Sequence, residues 1–205
     1  SFPVAPAGLQ VIGTHDGSFH CDEVLAISML KMLPQYENAL IVRTRNTEIL
    51  NQCNIVVDVG AIYDASTLRF DHHQRGFTDV FDGFSTKLSS AGLVYRHFGQ
   101  DIIKSLLKDE VDDATAALFH RKIYKSFIEH IDAIDNGISV SDGDLRYNIS
   151  TTLSNRVGRF NPEWNEQQTA EDSNIRFVQA MAITCEEFVT RVYGLAHHWW
   201  PARSI

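Results

Sequence analysis

The sequence predicts an α/β fold in which a parallel, Rossmann-like sheet is flanked by helices and followed by a helical segment. Short apolar runs alternate with helix-like segments in the first part of the chain, and long amphipathic patterns dominate beyond residue 83. The length of 205 residues, with 44% hydrophobic and 21% charged residues, is sufficient for a sizeable core. An intrinsically disordered chain is therefore not expected.

Four strand candidates lie in the first part of the chain. Leu9–Thr14 is the first, and it is followed by a polar turn and by a helix-like segment, Glu23–Leu33, which ends at Pro34. Because the carboxyl ends of parallel strands meet at one edge of a sheet, functional loops are expected to gather there. The other candidates are strands at 39–42, 54–60 and 68–71 and a short helical turn at 47–51.

Helices dominate the remainder of the chain. Ser89–Gly99 has the pattern of a capped helix that Gly99 stops, and Ile102–Leu107 is predicted to be a separate helix. Asp112–Ile134 repeats apolar residues at spacings of three and four, which predicts one long helix. The stretch 139–172 is expected to be rich in loops, and 173–200 carries a second long amphipathic pattern.

Charge and cysteine content narrow the function classes. Lys and Arg number 18 against 26 Asp and Glu, giving a net charge of -8, which argues against sequence-blind duplex binding but leaves a local basic groove open. The longest apolar stretch, Val24–Leu33, is too short to span a bilayer, so no membrane partner is expected. Three cysteines without a CxxC pair favour a reducing compartment. The first eight residues lack a signal core and are interpreted as a trimmed terminus.

Metal-ligating side chains are concentrated in the loops at the predicted strand ends, and a later helix adds two more carboxylates. Neutral imidazoles mixed with carboxylates favour Mn²⁺ or Fe, with Zn²⁺ open and the all-oxygen ions Mg²⁺ and Ca²⁺ less favoured. Two ions are expected rather than one, because four or more clustered carboxylates repel each other unless cations lie between them. The candidate ligands are His15, His20, Asp22, Asp58, His72, Asp132 and Asp135.

Each candidate ligand also has an ordinary structural interpretation. An Asp at a strand end is often a helix cap or turn former, and one member of a His pair is often a hydrogen-bonded structural ring. Asp132 and Asp135 lie on one helix face, where either could cap the helix end or pair with a basic residue. The coincidence of these residues at successive strand ends favours the metal hypothesis.

The ordered motifs resemble those of a known superfamily. His15…His20-x-Asp22, Val56-Val-Asp58, Asp71-His-His73 and Asp132-x-x-Asp135 are similar to the motif series of the DHH phosphoesterases, which include exonucleases, cyclic-dinucleotide phosphodiesterases and manganese pyrophosphatases. From about Val11 to Arg203, the chain closely resembles the melanocyte proliferating gene family, whose eukaryotic members are reported as nuclear and mitochondrial 3′-to-5′ RNA exonucleases. The strings that carry this resemblance are THDGSFHCDE, VVDVG, DHHQRGF, TKLSSAGLVY, DAIDNGI and STTLSNRVGRFNPEWN.

The resemblance implies a role for each motif residue. Asp71 would orient a histidine, and His73 would face the substrate phosphate. Most superfamily members have Asp where this chain has His20, so the metal preference is open. One ion would be held by His15, His20 and Asp58, and the second by Asp22, Asp58, His72 and either Asp132 or Asp135.

The expected activity is metal-dependent hydrolysis of single-stranded RNA or short oligonucleotides, with two ions, Mn²⁺ ahead of Mg²⁺ or Zn²⁺, activating water. Arg75, Lys87 and the helix-start residues Ser89 and Ser90 are candidates to bind a phosphate, with a surface ion pair or a plain helix cap as the alternatives. A small phosphoanhydride hydrolase of the pyrophosphatase type and a metal-binding scaffold without turnover are the competing hypotheses.

The resemblance also implies a domain organisation and a location. Residues 9–140 are expected to form a DHH-type catalytic domain, and 141–205 a loop and long helix leading toward a substrate domain that is absent or truncated, because family members are longer. A mitochondrial or nuclear location, or both, is implied. Association of identical copies of the chain is left open.

Overall fold

The computed structural model describes residues 8–108 and 110–203. Within them, five strands form one sheet that confirms the predicted α/β class. The strands are β1 (Val11–Thr14), β2 (Leu40–Arg43), β3 (Ile55–Val57), β4 (Tyr63–Asp64) and β5 (Arg69–Phe70). Their order is β2-β1-β3-β5-β4, and every neighbouring pair is parallel except β4 with β5.

The helices follow the predicted order. A π-helical turn at Tyr124–Ile128 joins the fourth helix to the fifth, and another at Leu195–Trp199 joins the last two. The helices are α1 (Cys21–Leu30), α2 (Thr47–Leu50), α3 (Ser90–Leu106), α4 (Asp113–Ile123), α5 (Glu129–Asp135), α6 (Leu153–Gly158), α7 (Ala170–Gly194) and α8 (Trp200–Ala202).

Alternation along the strands builds two cores. Ile12 and Ile55 pair across β1 and β3 and face the larger core, whereas Val11 and Val56 face a smaller one that includes Leu50 of α2. This is the two-sided burial expected when successive side chains point to opposite faces of a sheet. Helices therefore cover both faces of the sheet.

All ten residues of α1 are buried, because this helix packs against both α3 and α7. Ser28 in α1 donates to the carbonyl of Val24, and its Oγ lies 2.9 Å from Oγ1 of Thr184 in α7. The apolar pattern predicted for 173–200 is explained by this contact, since Phe177 and Phe188 of α7 belong to the larger core. The long C-terminal helix thus shares its core with the sheet.

The predicted helix break at Gly99 is wrong, because α3 continues through it to Leu106. A Cβ atom at Gly99 would lie 2.5 Å from Cδ2 of His120 in α4. The glycine therefore permits the close approach of two helices and does not end one.

Three further features differ from the sequence expectation. The two-residue strand β4 was not predicted, because it is too short to show periodicity. The long helix predicted over 112–134 is present, but with the π-helical turn inside it. The helix α6 lies within the expected loop region. No helix in the described ranges combines the length and apolarity needed to cross a membrane.

Candidate metal centre

The candidate ligands meet at the carboxyl edge of the sheet. His15 follows β1, Asp58 follows β3, and His72 lies two residues beyond β5. The first turn of α1 and the end of α5 add further carboxylates to the same edge. Because these strands are parallel, residues that are far apart in sequence converge here, as the sequence analysis expected of the loops.

Asp58 lies at the centre of the cluster. Its Oδ1 accepts a hydrogen bond from Ser90 Oγ at 2.9 Å and lies 3.5 Å from Nε2 of His72, while its Oδ2 lies 3.4 Å from Nε2 of His15. Its backbone has a φ of 58°, a left-handed conformation that is unfavourable for a residue with a side chain. The bond from its amide to the carbonyl of Phe70 holds it there. Strain at this residue is typical of a functional position.

The loop after β1 brings His15 and His20 together. Gly17, with a φ of 81°, allows the loop to turn, and the two imidazole ring centres lie 6.3 Å apart. Nδ1 of His15 lies 3.0 Å from the carbonyl of Asp16, which suits an N–H donor, so Nε2 is the atom that faces the cluster. Its nearest carboxylate is Glu23, at 3.0 Å.

Glu23 belongs to the cluster, although the sequence analysis did not select it. Its carboxylate accepts from the amide of His20 at 2.8 and 3.0 Å, which is the capping pattern of a helix start. The sequence does not signal this role, because the N-cap residue is His20 and not the Ser, Thr, Asp or Asn of the usual capping pattern. The ligand atoms of His15, His20 and Glu23 lie within 4.8 Å of one another.

Three more groups of ligand atoms overlap at the same place, each within 4.8 Å. Nε2 of His72 lies 3.0 Å from Oδ2 of Asp135, and this contact links the histidine to the end of α5. Four residues each belong to two of the four groups and so connect neighbouring ligand sets: His20, Asp22, Glu23 and Asp58. The groups are Asp58, His72 and His73; His20, Asp22 and Asp135; and Asp22, Glu23 and Asp58.

The described residues fit a divalent cation. Nδ1 of His72 and Oδ1 of Asp22 are buried without a hydrogen-bond partner in the described structure, and the only close contacts of Nε2 of His72 are with carboxylates of the cluster. Buried polar atoms without partners are rare and costly, and a cation would satisfy them. The donor set of imidazoles and carboxylates is the one that Mn²⁺, Fe and Zn²⁺ accept.

Without a cation, protons balance the charge of the cluster. Burial and the negative charges of Asp58 and Asp135 raise the pKa of Asp22 well above its usual range. Burial alone would lower the pKa of His15, but hydrogen bonds to Asp58 and Glu23 outweigh it and raise this pKa to about 10. An incoming divalent ion therefore has to displace protons from this site.

Asp132 lies outside the cluster. Its Oδ1 accepts from the amide and hydroxyl of Ser89 at 2.9 and 2.7 Å, and its Oδ2 accepts from the hydroxyl of Tyr124 at 2.9 Å. It is fully buried against Gly92, and a Cβ atom at position 92 would collide with its carboxylate. Of the two candidate carboxylates in the Asp132-x-x-Asp135 motif, the structure brings Asp135 to the other candidate ligands and holds Asp132 apart from them.

Ser89 and Ser90, the candidate phosphate-binding residues at the start of α3, lie inside the protein. Both are fully buried, and their donors point to carboxylates: Ser89 bonds to Asp132, and Ser90 bonds to Asp58 through Oγ and to Asp22 through its amide at 3.3 Å. In this arrangement the serines hold carboxylates in place.

Asp71 holds His73. Its Oδ1 accepts from the amide of His73 at 3.0 Å and lies 2.8 Å from Nδ1 of the ring, and its Oδ2 accepts from the amide of Ala61 at 2.6 Å. The side chain of His73 is 62% exposed, whereas Asp71 is buried. The buried carboxylate thus orients an exposed imidazole beside the cluster.

A cleft of about 450 Å³ opens beside the ligand cluster. This volume is in the range of small-molecule sites. Two cations expected to bind phosphate do not line it: Lys87 lies over the ring of Phe77, and Arg75 is exposed without an ion pair in the described ranges. The cleft walls include His15, His20, Asp58, Asp71, His73 and Arg45.

An α/β fold in which histidines and carboxylates converge at the carboxyl ends of parallel strands defines a candidate enzyme site, because the ligands of such folds bind at this edge of the sheet. Residues 11–205 match the model of an uncharacterised protein family, UPF0160, also designated MYG1 exonuclease, and the chain belongs to this family.

Curated relatives agree with this assignment. An MYG1 protein of Caenorhabditis elegans is 52% identical over 201 residues, which is 96% of this chain and 58% of the relative. Proteins named MYG1 exonuclease from Homo sapiens and Mus musculus are 47% and 48% identical and cover 95% of this chain. The chain spans only 53% and 52% of those two relatives, about half of their length. No solved structure matches the chain significantly.

Proposed function

We propose that this chain carries the catalytic centre of a metal-dependent nuclease that hydrolyses phosphodiester bonds in single-stranded RNA or short oligonucleotides from the 3′ end. The observation that carries the proposal is the convergence of imidazoles and carboxylates on Asp58 at the edge of an open cleft. The printed names of the human and mouse relatives, which call them exonucleases, support a nucleic-acid substrate. A mitochondrial or nuclear location follows from the same resemblance.

Two divalent ions, Mn²⁺ ahead of Mg²⁺ or Zn²⁺, are the proposed cofactors. When bound, such a pair supplies activation of water and neutralises charge on the phosphoryl oxygens. Asp58 would bridge the two positions, since its Oδ2 lies 3.4 Å from Nε2 of His15 and its Oδ1 lies 3.5 Å from Nε2 of His72. The first position would use His15, His20, Glu23 and Asp58, and the second Asp22, Asp58, His72 and Asp135.

The remaining residues would orient these ligands and the substrate. Ser90 fixes the Asp58 carboxylate through its hydroxyl, and Asp71 fixes the ring of His73 through Nδ1. An exposed imidazole held beside the cleft is placed to donate a hydrogen bond or a proton to a substrate oxygen. We therefore assign His73 to the substrate phosphate and Asp71 to positioning.

The order of these motifs and the division of labour within Asp71-His-His73 support membership of the DHH phosphoesterase superfamily. His72 belongs to the ligand groups of the cluster, whereas Asp71 binds backbone and ring N–H groups. This distribution is the one that the resemblance implies for the motif. We include the superfamily assignment in the proposal.

The test is hydrolysis by the metal-stripped chain of end-labelled single-stranded RNA, with and without Mn²⁺. We expect mononucleotides only with Mn²⁺, their loss in His72→Ala, and their retention in His198→Ala, which changes an exposed histidine in the π-helical turn Leu195–Trp199. Metal binding without product would contradict the proposal and favour the scaffold hypothesis. Release of phosphate from pyrophosphate with RNA left intact would favour the phosphoanhydride hydrolase.

A further inference from the structure

One cationic side chain, Arg45, lines the cleft among the lysines and arginines of the described residues. It lies two residues beyond β2, on the loop that leads into α2. Arg45 is not among the residues predicted from the sequence, because a single arginine after an edge strand belongs to no recognisable motif. Its place in the cleft wall makes it a candidate to bind an anionic substrate.

Arg43, two residues earlier, is a useful contrast because both of its terminal nitrogens donate hydrogen bonds. It donates to the carbonyl of Gly17 at 2.6 Å and to Ser173 Oγ at 2.8 Å, and it lies over the rings of Phe19 and Phe177 at 5.3 and 4.7 Å. These contacts tie the His15–His20 loop to α7. Arg43 is therefore structural.

The guanidinium of Arg45 is free of such contacts. Its one ion pair joins Nε to Oδ1 of Asp16 at 3.5 Å, with side chains that are 65% and 59% exposed. An ion pair this exposed contributes little, so a competing anion displaces it easily. Its two terminal nitrogens have no partner among the described residues.

The negative charge of the cleft wall favours a cationic side chain at a position that binds an anion. The cleft wall carries Asp58 and Asp71, and the whole chain has a net charge of -8. These negative charges repel an approaching phosphate. Metal ions bound by the cluster would offset this repulsion only close to the cluster. An arginine adds a fixed charge and a planar fork of donors that matches two phosphate oxygens.

We propose that Arg45 binds the non-bridging oxygens of a substrate phosphate in this cleft. The inference rests on the proposed function in taking an oligonucleotide phosphodiester as that substrate. Arg45 then determines affinity for the anion, while the histidines and carboxylates of the cluster carry the chemistry.

The test compares Arg45→Gln with Arg45→Lys and with Arg146→Gln, which removes an exposed charge outside the cleft. We expect Arg45→Gln to raise KM for single-stranded RNA about tenfold with kcat and Mn²⁺ affinity retained, because it removes one charged hydrogen-bonding contact. Arg45→Lys should restore part of the affinity, and Arg146→Gln should behave as the wild type. The slope of log affinity against log salt should fall by about 0.7 in Arg45→Gln, the value for one phosphate contact on a single strand.

A binding assay separates this inference from the proposed function. Fluorescence anisotropy with a labelled, phosphorothioate-protected single-stranded oligonucleotide reports affinity without hydrolysis. Weaker binding by Arg45→Gln, even if the wild type hydrolyses nothing, supports the role of Arg45. Hydrolysis and binding unchanged in Arg45→Gln, or an equal loss in Arg146→Gln, overturns it. A wild type that neither binds nor hydrolyses RNA overturns both proposals.

Discussion

The hydroxyl of Ser90 sets the orientation of the central carboxylate. Its 2.9 Å bond to Asp58 Oδ1 is buried, so no water can replace it. We predict that Ser90→Ala lowers Mn²⁺ affinity about tenfold or more, as loss of a group that orients a metal ligand commonly does. Calorimetric titration measures this, with Ser105→Ala as the control, because Ser105 lies on the same helix and donates to Met32 instead. Equal affinities in both variants would refute this role.

Protons and cations compete for the cluster. The pKa of His15 is raised to about 10, so His15 holds a proton near neutral pH that a bound ion must displace, and the raised pKa of Asp22 acts in the same direction. Fewer protons remain as the pH rises, and the affinity for Mn²⁺ should therefore increase from about pH 6 to about pH 9. Titration in buffers of different pH checks this. An affinity that is flat over the range would contradict the assigned ligands.

The sequence identifies the residue types at this site better than it identifies their partners. The resemblance named His15, Asp58 and His72 from motifs, and they lie together. The choice between Asp132 and Asp135 depends on donors about forty residues away in sequence and on the hydroxyl of Tyr124, none of which the motif contains. Such long-range hydrogen bonds decide which carboxylate is free, and a local pattern cannot show them.

At the scale of elements, the contact between α3 and α4 depends on Gly99. A Cβ atom there would lie 2.5 Å from the ring of His120, which is held by a bond to the carbonyl of Tyr95. We predict that Gly99→Ala lowers the free energy of unfolding by about 1–3 kcal/mol, the usual cost of overpacking. Chemical denaturation measures this.

The matched control is Gly158→Ala, at an exposed helical position with no atom near the added carbon. It should leave stability unchanged or slightly increased, because alanine favours helix. A loss in Gly158→Ala as large as that in Gly99→Ala would mean that packing is not the cause.

Element types were largely predictable, and element interruptions were not. β-branched runs correctly indicated β1, β2 and β3, since strands of this kind are locally encoded. Gly99 was misinterpreted because glycine marks both helix ends and close helix contacts. The π-helical turn at Tyr124–Ile128 has no sequence signature that periodicity reveals, as it depends on tertiary packing.

At the scale of the whole molecule, Asn161 connects the C-terminal segment to the metal loop. Its Oδ1 accepts from the amide of Phe19 at 3.0 Å, and its Nδ2 donates to the carbonyl of the same residue at 2.7 Å. Phe19 directly precedes His20, so this pair of bonds sets the position of a candidate ligand.

We predict that Asn161→Asp lowers the free energy of unfolding by about 1–3 kcal/mol, because it loses the donor to a partly buried carbonyl. It should also weaken Mn²⁺ binding through His20. Thermal denaturation and metal titration check both, with Asn165→Asp as an exposed control of the same charge. Unchanged Mn²⁺ affinity in Asn161→Asp would show that the two hydrogen bonds between Asn161 and Phe19 contribute to stability and not to metal binding.

The proposed function depends most directly on whether the cluster binds two divalent ions. Calorimetric titration of the metal-stripped chain with Mn²⁺ decides this. We predict saturable binding of two ions per chain, lost or halved in Asp58→Asn, because Asp58 is shared between two ligand groups. No saturable binding, or full binding by Asp58→Asn, would contradict the central claim.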